Sequence, residues 1–310
     1  TEFYLVLIFL VFKYMLLTNT NFINSLFRMN NQYHLTVYLQ TFFITTEIIL
    51  ITIILFLGGS IIEVSVIGFF NYIIGFFVSY YLIKRKFKWL KIIDLNNIDF
   101  LFLKKIFYPS ISFMTGNLCK MILINGTIIV LKIYSSELIL ILYNSLRLVM
   151  NGSRQFINNL TISFQNQITI DYAKNKLLNI LNKFKILTKY NFLSSTLFVL
   201  ILILLLEEPF LIWTRNSVDW NFNFFLFFLL ANYIEWLSIP ILTIPYSLNK
   251  AEILNKIYLS TLVFYFIILI SIFKFQNLFA VPISLLIVNL YCFIHSYIKV
   301  NKILLLNKSI

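Results

Sequence analysis

Residues 144–165 read NSLRLVMNGSRQFINNLTISFQ, and their polar members decide how the chain is read. Asn144, Arg147, Asn151, Arg154, Asn158, Thr161 and Gln165 recur at alternating steps of three and four residues. On an α-helix that spacing places them on one stripe. The residues between them include Leu146, Val149, Met150, Ile157 and Phe164, so the predicted helix, 137–165, is of membrane length and apolar apart from the stripe. Arg147 and Arg154 keep their charge at any ordinary pH. Each guanidinium costs about 2.5–3.5 kcal/mol near a bilayer centre on insertion scales. A stripe this costly is expected to face a wet or anion-filled cavity rather than lipid.

The rest of the chain supports a membrane setting. Of its 310 residues 60% are hydrophobic, and mean hydropathy is +0.88. An ordinary soluble domain is about 45–50% apolar. Heavy use of Ile, Phe, Asn and Lys matches an AT-rich coding bias, so a single Asn carries little information. Thr1 leads almost directly into the apolar run Phe3–Leu17, with no signal-peptide layout, as expected of a chain that begins at or inside a helix. Cys119 and Cys292 are the only cysteines and sit in apolar runs; His34 and His295 are far apart. This argues against a disulfide framework, a metal site or a bound cofactor.

Apolar windows able to cross about 30 Å of hydrocarbon fall near 3–26, 35–57, 61–83, 106–131, 137–165, 190–212, 221–244, 256–275 and 278–298. The expected fold class is therefore an all-α membrane protein with about nine transmembrane helices. The intervening loops sort by charge. One alternating set carries Arg28, the basic stretch from Lys84 to Lys105, the lysines between 174 and 189, Lys250 and Lys256, and Lys299, Lys302 and Lys308. The other holds Lys132, Arg215 and Lys274 against Glu63, Glu137, Glu207, Glu208 and Asp219. The positive-inside rule puts the first set, and the C-terminus, in the cytoplasm. Topology thus accounts for the net charge of +13, and nucleic acid is not an expected partner.

Four segments are expected: three helices over 1–83, a basic amphipathic cytoplasmic linker over 84–105, a six-helix bundle over 106–300, and a cytoplasmic tail over 301–310. The second large cytoplasmic connection is expected at 166–189. Pro240 and Pro245 are expected to interrupt a helix near its cytoplasmic end, and Gly58–Gly59 to form a tight outer turn.

Six charges fall inside the predicted spans: Lys13, Glu47, Lys120, Arg147, Arg154 and Glu235. One reading is a cavity whose cations hold a phosphate or pyrophosphate, which arginine contacts bidentately. The other is that these residues form structural ion pairs between helices. On the first reading Lys120, Arg147, Asn151, Arg154, Asn158 and Gln165 bind substrate, and Glu47 and Glu235 act as counter-charges or coupling sites. Enzyme chemistry is poorly supported: there is no Gly-rich phosphate loop, no Ser-His-Asp set and no sizeable outer loop.

Several stretches together are similar to a known family. Lys104-Lys105 is followed by FYPSISFMTGNL (107–118), then LINGTIIVLKIYSSELILILYNSLRLVMNGSRQFINNLTIS (123–163), then a charged segment and EEPFLIWT (207–214). Upstream stands LGGSIIEVSVIGFFNYIIGFFVSYYLIKRK (57–86). This pattern resembles oligosaccharide flippases of the O-antigen type, in the multidrug/oligosaccharidyl-lipid/polysaccharide exporter superfamily. It departs at Asn125, where such proteins often carry Asp, and near 164, where they often carry Pro. The resemblance implies twelve helices in two bundles that rock around a central cavity, this chain supplying helices 4–12 of an N-terminally longer protein. It implies a bacterial cytoplasmic-membrane protein of polysaccharide, O-antigen or lipopolysaccharide biosynthesis in the cell envelope. Its cargo would be a polyprenyl-pyrophosphate-linked oligosaccharide, and its partners would be the phospholipid bilayer and other polysaccharide-assembly membrane proteins. The rival expectations are a multidrug or small-cation exporter of the same superfamily and a membrane-embedded enzyme of glycan assembly.

Overall fold

The computed structural model of the chain describes residues 2–29, 32–87, 100–215, 218–273 and 278–306. These residues form helices and no strand. Two compact units divide them, Thr1–Ile98 and Asp99–Ile310.

The first unit holds α1 (Glu2–Met29), α2 (Tyr33–Phe56) and α3 (Ile61–Lys86). Its small apolar core is Ile23, Phe27, Ile83 and Phe87. Buried polar groups join the helices elsewhere. Thr36 Oγ1 donates to the Asn24 carbonyl at 2.9 Å, and Asn71 Nδ2 donates to the Phe43 carbonyl at 2.9 Å. In a membrane such bonds contribute about 0.6 kcal/mol each on average, because the alternative partners are few but not absent. The expected Gly58 turn is present, with Gly58 at φ 81°. Gly59 N–H bonds the Ile54 carbonyl and Gly58 N–H the Leu55 carbonyl, a Schellman ending that needs a left-handed residue. Ser60 then caps α3, exchanging hydrogen bonds with Glu63 in a capping box.

The second unit holds α4 (Phe100–Tyr134), α5 (Glu137–Ala173), α6 (Leu177–Leu205), the short α7 (Glu207–Trp213), α8 (Phe222–Ser247), α9 (Ala251–Phe273) and α10 (Ala280–Leu306). The central element is α8, half of whose apolar window is buried. Its Phe224, Phe225, Phe228 and Trp236 join Leu146, Met150 and Ile157 of α5 and Tyr265 of α9 in the main core. Asn191 Nδ2 and Asn289 Nδ2 donate to the Trp236 and Ala231 carbonyls at 3.0 and 2.9 Å, pinning α6 and α10 to α8. A second core, with Ile168, Ile180, Ile244 and Val300, lies toward the Ala173 end of α5.

Among the described residues eight helices are long and apolar enough to cross a membrane, which makes the chain a multi-pass membrane protein. The helix α5 is not among the eight, although it has 37 residues and is therefore about 55 Å long. Its polar stripe lowers its apolarity, and it is the ninth span expected from the sequence.

Four expectations need correction. There is no long connection at 166–189: α5 continues to Ala173 and α6 begins at Leu177. Asn175, at φ 54°, closes the intervening turn as a second Schellman ending, with Lys176 N–H on the Asp171 carbonyl. Of the lysines read as a loop, Lys174 and Lys176 stand at the two helix caps, and Lys183, Lys185 and Lys189 lie within α6, where Lys183 pairs with Asp171 at 2.6 Å. The expected span 190–212 is two helices, broken at Leu206. Pro240 and Pro245 lie inside a continuous α8 and do not interrupt it. The tail begins later than 301, because α10 runs to Leu306. Of the expected linker, Lys84–Lys86 end α3 and 100–105 begin α4; its middle, 88–99, lies outside the described residues, as do Lys274 and Lys308.

Candidate functional site

The polar stripe of α5 faces a cavity of about 310 Å³ inside the second unit. Arg147, Asn151, Arg154, Asn158, Thr161 and Gln165 all line it. Asn144 does not, and its Oδ1 is buried without a hydrogen-bond partner. Lys120 of α4 and Glu235 of α8 line the same space, so seven of the eight residues singled out from the sequence meet in one place. All the lining residues belong to the second unit, whereas the family resemblance implied a chamber between two bundles.

Helix geometry explains the convergence. The lining members from Arg147 to Gln165 fall within an arc about 80° wide and keep one face toward the groove between α4 and α8. The two cores flank it along α5, with Met150 and Ile157 on one side and Ile168 on the other. Aromatic groups complete the wall. The Lys120 ammonium lies 4.7 Å from the Tyr258 ring centre, and the Arg147 guanidinium 5.9 Å from that of Tyr143. Both distances suit cation–π attraction, which partly replaces lost hydration.

Three cations therefore face one carboxylate in the cavity. Arg154 Nη1 stands 3.2 Å from Glu235 Oε1, and both side chains remain partly accessible, at 22% and 31%. Arg147 and Lys120 have no ion-pair partner among the described residues. The Nε atoms of both arginines are buried and lack a hydrogen-bond partner. Donor capacity and positive charge on these side chains are thus left unspent within the cavity.

Glu47 stands apart. It lies in the first unit, where Lys13 of α1 donates to its Oε1. Gly68 of α3 makes room for this pair: a Cβ there would lie 3.2 Å from Glu47 Oε1. Glu47 is thus the counter-charge of Lys13 and lines no part of the cavity.

No protein-family model matches the chain, and no curated protein sequence does. One solved structure does, described as the outward-facing conformation of a multidrug resistance MATE family transporter of the MOP superfamily. It superposes with a TM-score of 0.72 over 94% of this chain and 67% of that one, at 12% identity. The chain shares the all-helical fold of that structure. At that identity the likeness is one of architecture and assigns no residue a role. It agrees with the all-α, multi-pass organisation expected from the sequence.

Sequence reasoning missed part of the lining. Tyr143, Tyr258, Asn289, Thr261 and Cys292 all face the cavity. Each stands in an apolar run where an aromatic, a small polar residue or a cysteine is ordinary packing. Tyr143 lies one turn before Arg147 on the same face of α5, and only the arrangement of α9 and α10 against α8 brings the other four to the site.

Proposed function

We propose that the chain forms part of a transporter that moves a polyprenyl-pyrophosphate-linked oligosaccharide across the bacterial cytoplasmic membrane by alternating access. The observation that carries this reading is the cavity's charge, three cations against one carboxylate within a membrane-spanning bundle. The excess of two positive charges equals the two negative charges of a pyrophosphate diester. Moving that anion through low dielectric unaided is prohibitive, and placing it among fixed cations and amides removes most of the penalty. Lys120, Arg147 and Arg154 hold the pyrophosphate; Asn151, Asn158 and Gln165 offer amides to phosphate or sugar; Glu235 tunes the charge. Glu47, held by Lys13, acts in the first unit as a counter-charge. The C-terminus is cytoplasmic, by the lysine distribution. The bilayer and other polysaccharide-assembly membrane proteins are its partners.

The fold of a multidrug resistance transporter favours a second reading, export of small organic cations. That reading needs a cavity dominated by acids, and this one holds a single carboxylate against three bases. The test is export of surface glycan in cells carrying Arg147→Ala with Arg154→Ala. Loss of export at normal protein level supports the oligosaccharide reading; unchanged export refutes it.

A further inference from the structure

Glu235 has a different relation to each cation in the cavity. It contacts Arg154 once, Nη1 to Oε1 at 3.2 Å, and Arg154 is its only ion-pair partner among the described residues. No other ion pair reaches the carboxylate among the described residues. Ser238 Oγ donates to the backbone carbonyl of Glu235, and Asn232 Nδ2 donates to the Phe228 carbonyl. Arg147 and Lys120 rest on aromatic rings and are not neutralised.

We infer that Glu235 is a tethered competitor for the anion: it occupies Arg154 while the cavity is empty and yields it when an anionic cargo arrives. This rests on the anionic-cargo reading above. A carboxylate and a phosphoryl group offer the same acceptor oxygens to a guanidinium. The exchange at Arg154 is therefore like for like, and a single, partly hydrated contact is cheap to break. Arg147 and Lys120 provide the standing attraction; Arg154 adds a contact only after Glu235 lets go. The arrangement serves release as much as capture. Three unopposed cations would hold a dianion too firmly for turnover, since binding shared by every state of the cycle does not speed it. A carboxylate fixed beside Arg154 is present at high effective concentration and re-forms its pair as the cargo leaves. Glu235 thus sets how tightly the site holds its anion, without contacting the cargo.

The test is calorimetric binding of inorganic pyrophosphate to the purified protein in lipid nanodiscs, with folding checked by thermal unfolding. Glu235→Gln keeps the shape and removes the competing charge, and is expected to bind about tenfold tighter. Glu235→Asp keeps the charge but is one methylene too short for the contact, and should gain an intermediate amount. In an Arg154→Gln background the gain from Glu235→Gln should fall to about threefold or less, the coupling that a double-mutant cycle isolates. A tenfold gain that persists without Arg154 overturns the competitor role and leaves only a general field effect. No gain in either background also overturns it. Failure of all five proteins to bind pyrophosphate sinks the anionic-cargo reading itself, and the competitor role with it.

Discussion

Arg154 and Glu235 face each other at 3.2 Å across the cavity, whereas Arg147, seven residues earlier on the same stripe of α5, has no carboxylate partner among the described residues. Two arginines that look equivalent in the sequence are thus electrostatically unequal. Removing each should have a different effect. Arg147→Gln is expected to weaken pyrophosphate binding about thirtyfold, because an unopposed, charge-assisted contact is lost. Arg154→Gln is expected to cost about threefold, since part of that arginine's charge is already neutralised. Calorimetry on the two variants checks the order; an equal or reversed loss contradicts the geometry.

The Lys13–Glu47 pair supports a prediction about stability in the first unit. Lys13→Ala leaves a carboxylate uncompensated among apolar helices and should lower the apparent Tm of the detergent-purified protein. The double variant Lys13→Ala with Glu47→Ala removes both charges and should recover most of that loss. A double variant less stable than Lys13→Ala alone would show that the carboxylate is held by something other than Lys13.

Asn175 and Asn249 end α5 and α8 in left-handed conformations, each at φ 54°. Lys250 N–H bonds the Pro245 carbonyl beyond Asn249, the same Schellman closure as at Lys176. Replacing either Asn by Ala should cost about 1 kcal/mol, the steric penalty of a Cβ in that region, while Gly should be tolerated. Thermal unfolding of the four single variants decides this. Alanine variants as stable as the glycine ones would mean that these turns do not hold the left-handed form.

The extent to which the site could be read in advance follows from which signals are local. The ladder from Arg147 to Gln165 repeats within one helix, so its spacing alone predicts a shared face, and the cavity lies on that face. Lys120 and Glu235 announced themselves by the cost of a charge in an apolar run. Glu47 did so as well, yet its pairing with Lys13, 34 residues away, depends on how α1, α2 and α3 pack. Tyr258 and Cys292 carried no signal, because only tertiary arrangement separates a lining side chain from a packed one. The charge of the segment 174–189 misled for a physical reason. Lysines within α6 can stay solvated while their backbone is helical, so a basic run need not be a loop.

Cys292, on the wall of the cavity, can report directly whether that space is wet and positive. In a Cys119→Ser background, the measurement is the labelling rate of Cys292 by an anionic and a cationic methanethiosulfonate of similar size. Each rate is normalised to that reagent's rate with a free thiol. The anionic reagent is expected to be favoured, Arg147→Gln with Arg154→Gln to abolish the preference, and pyrophosphate to protect the thiol. Preference for the cationic reagent would contradict a cavity built for anions.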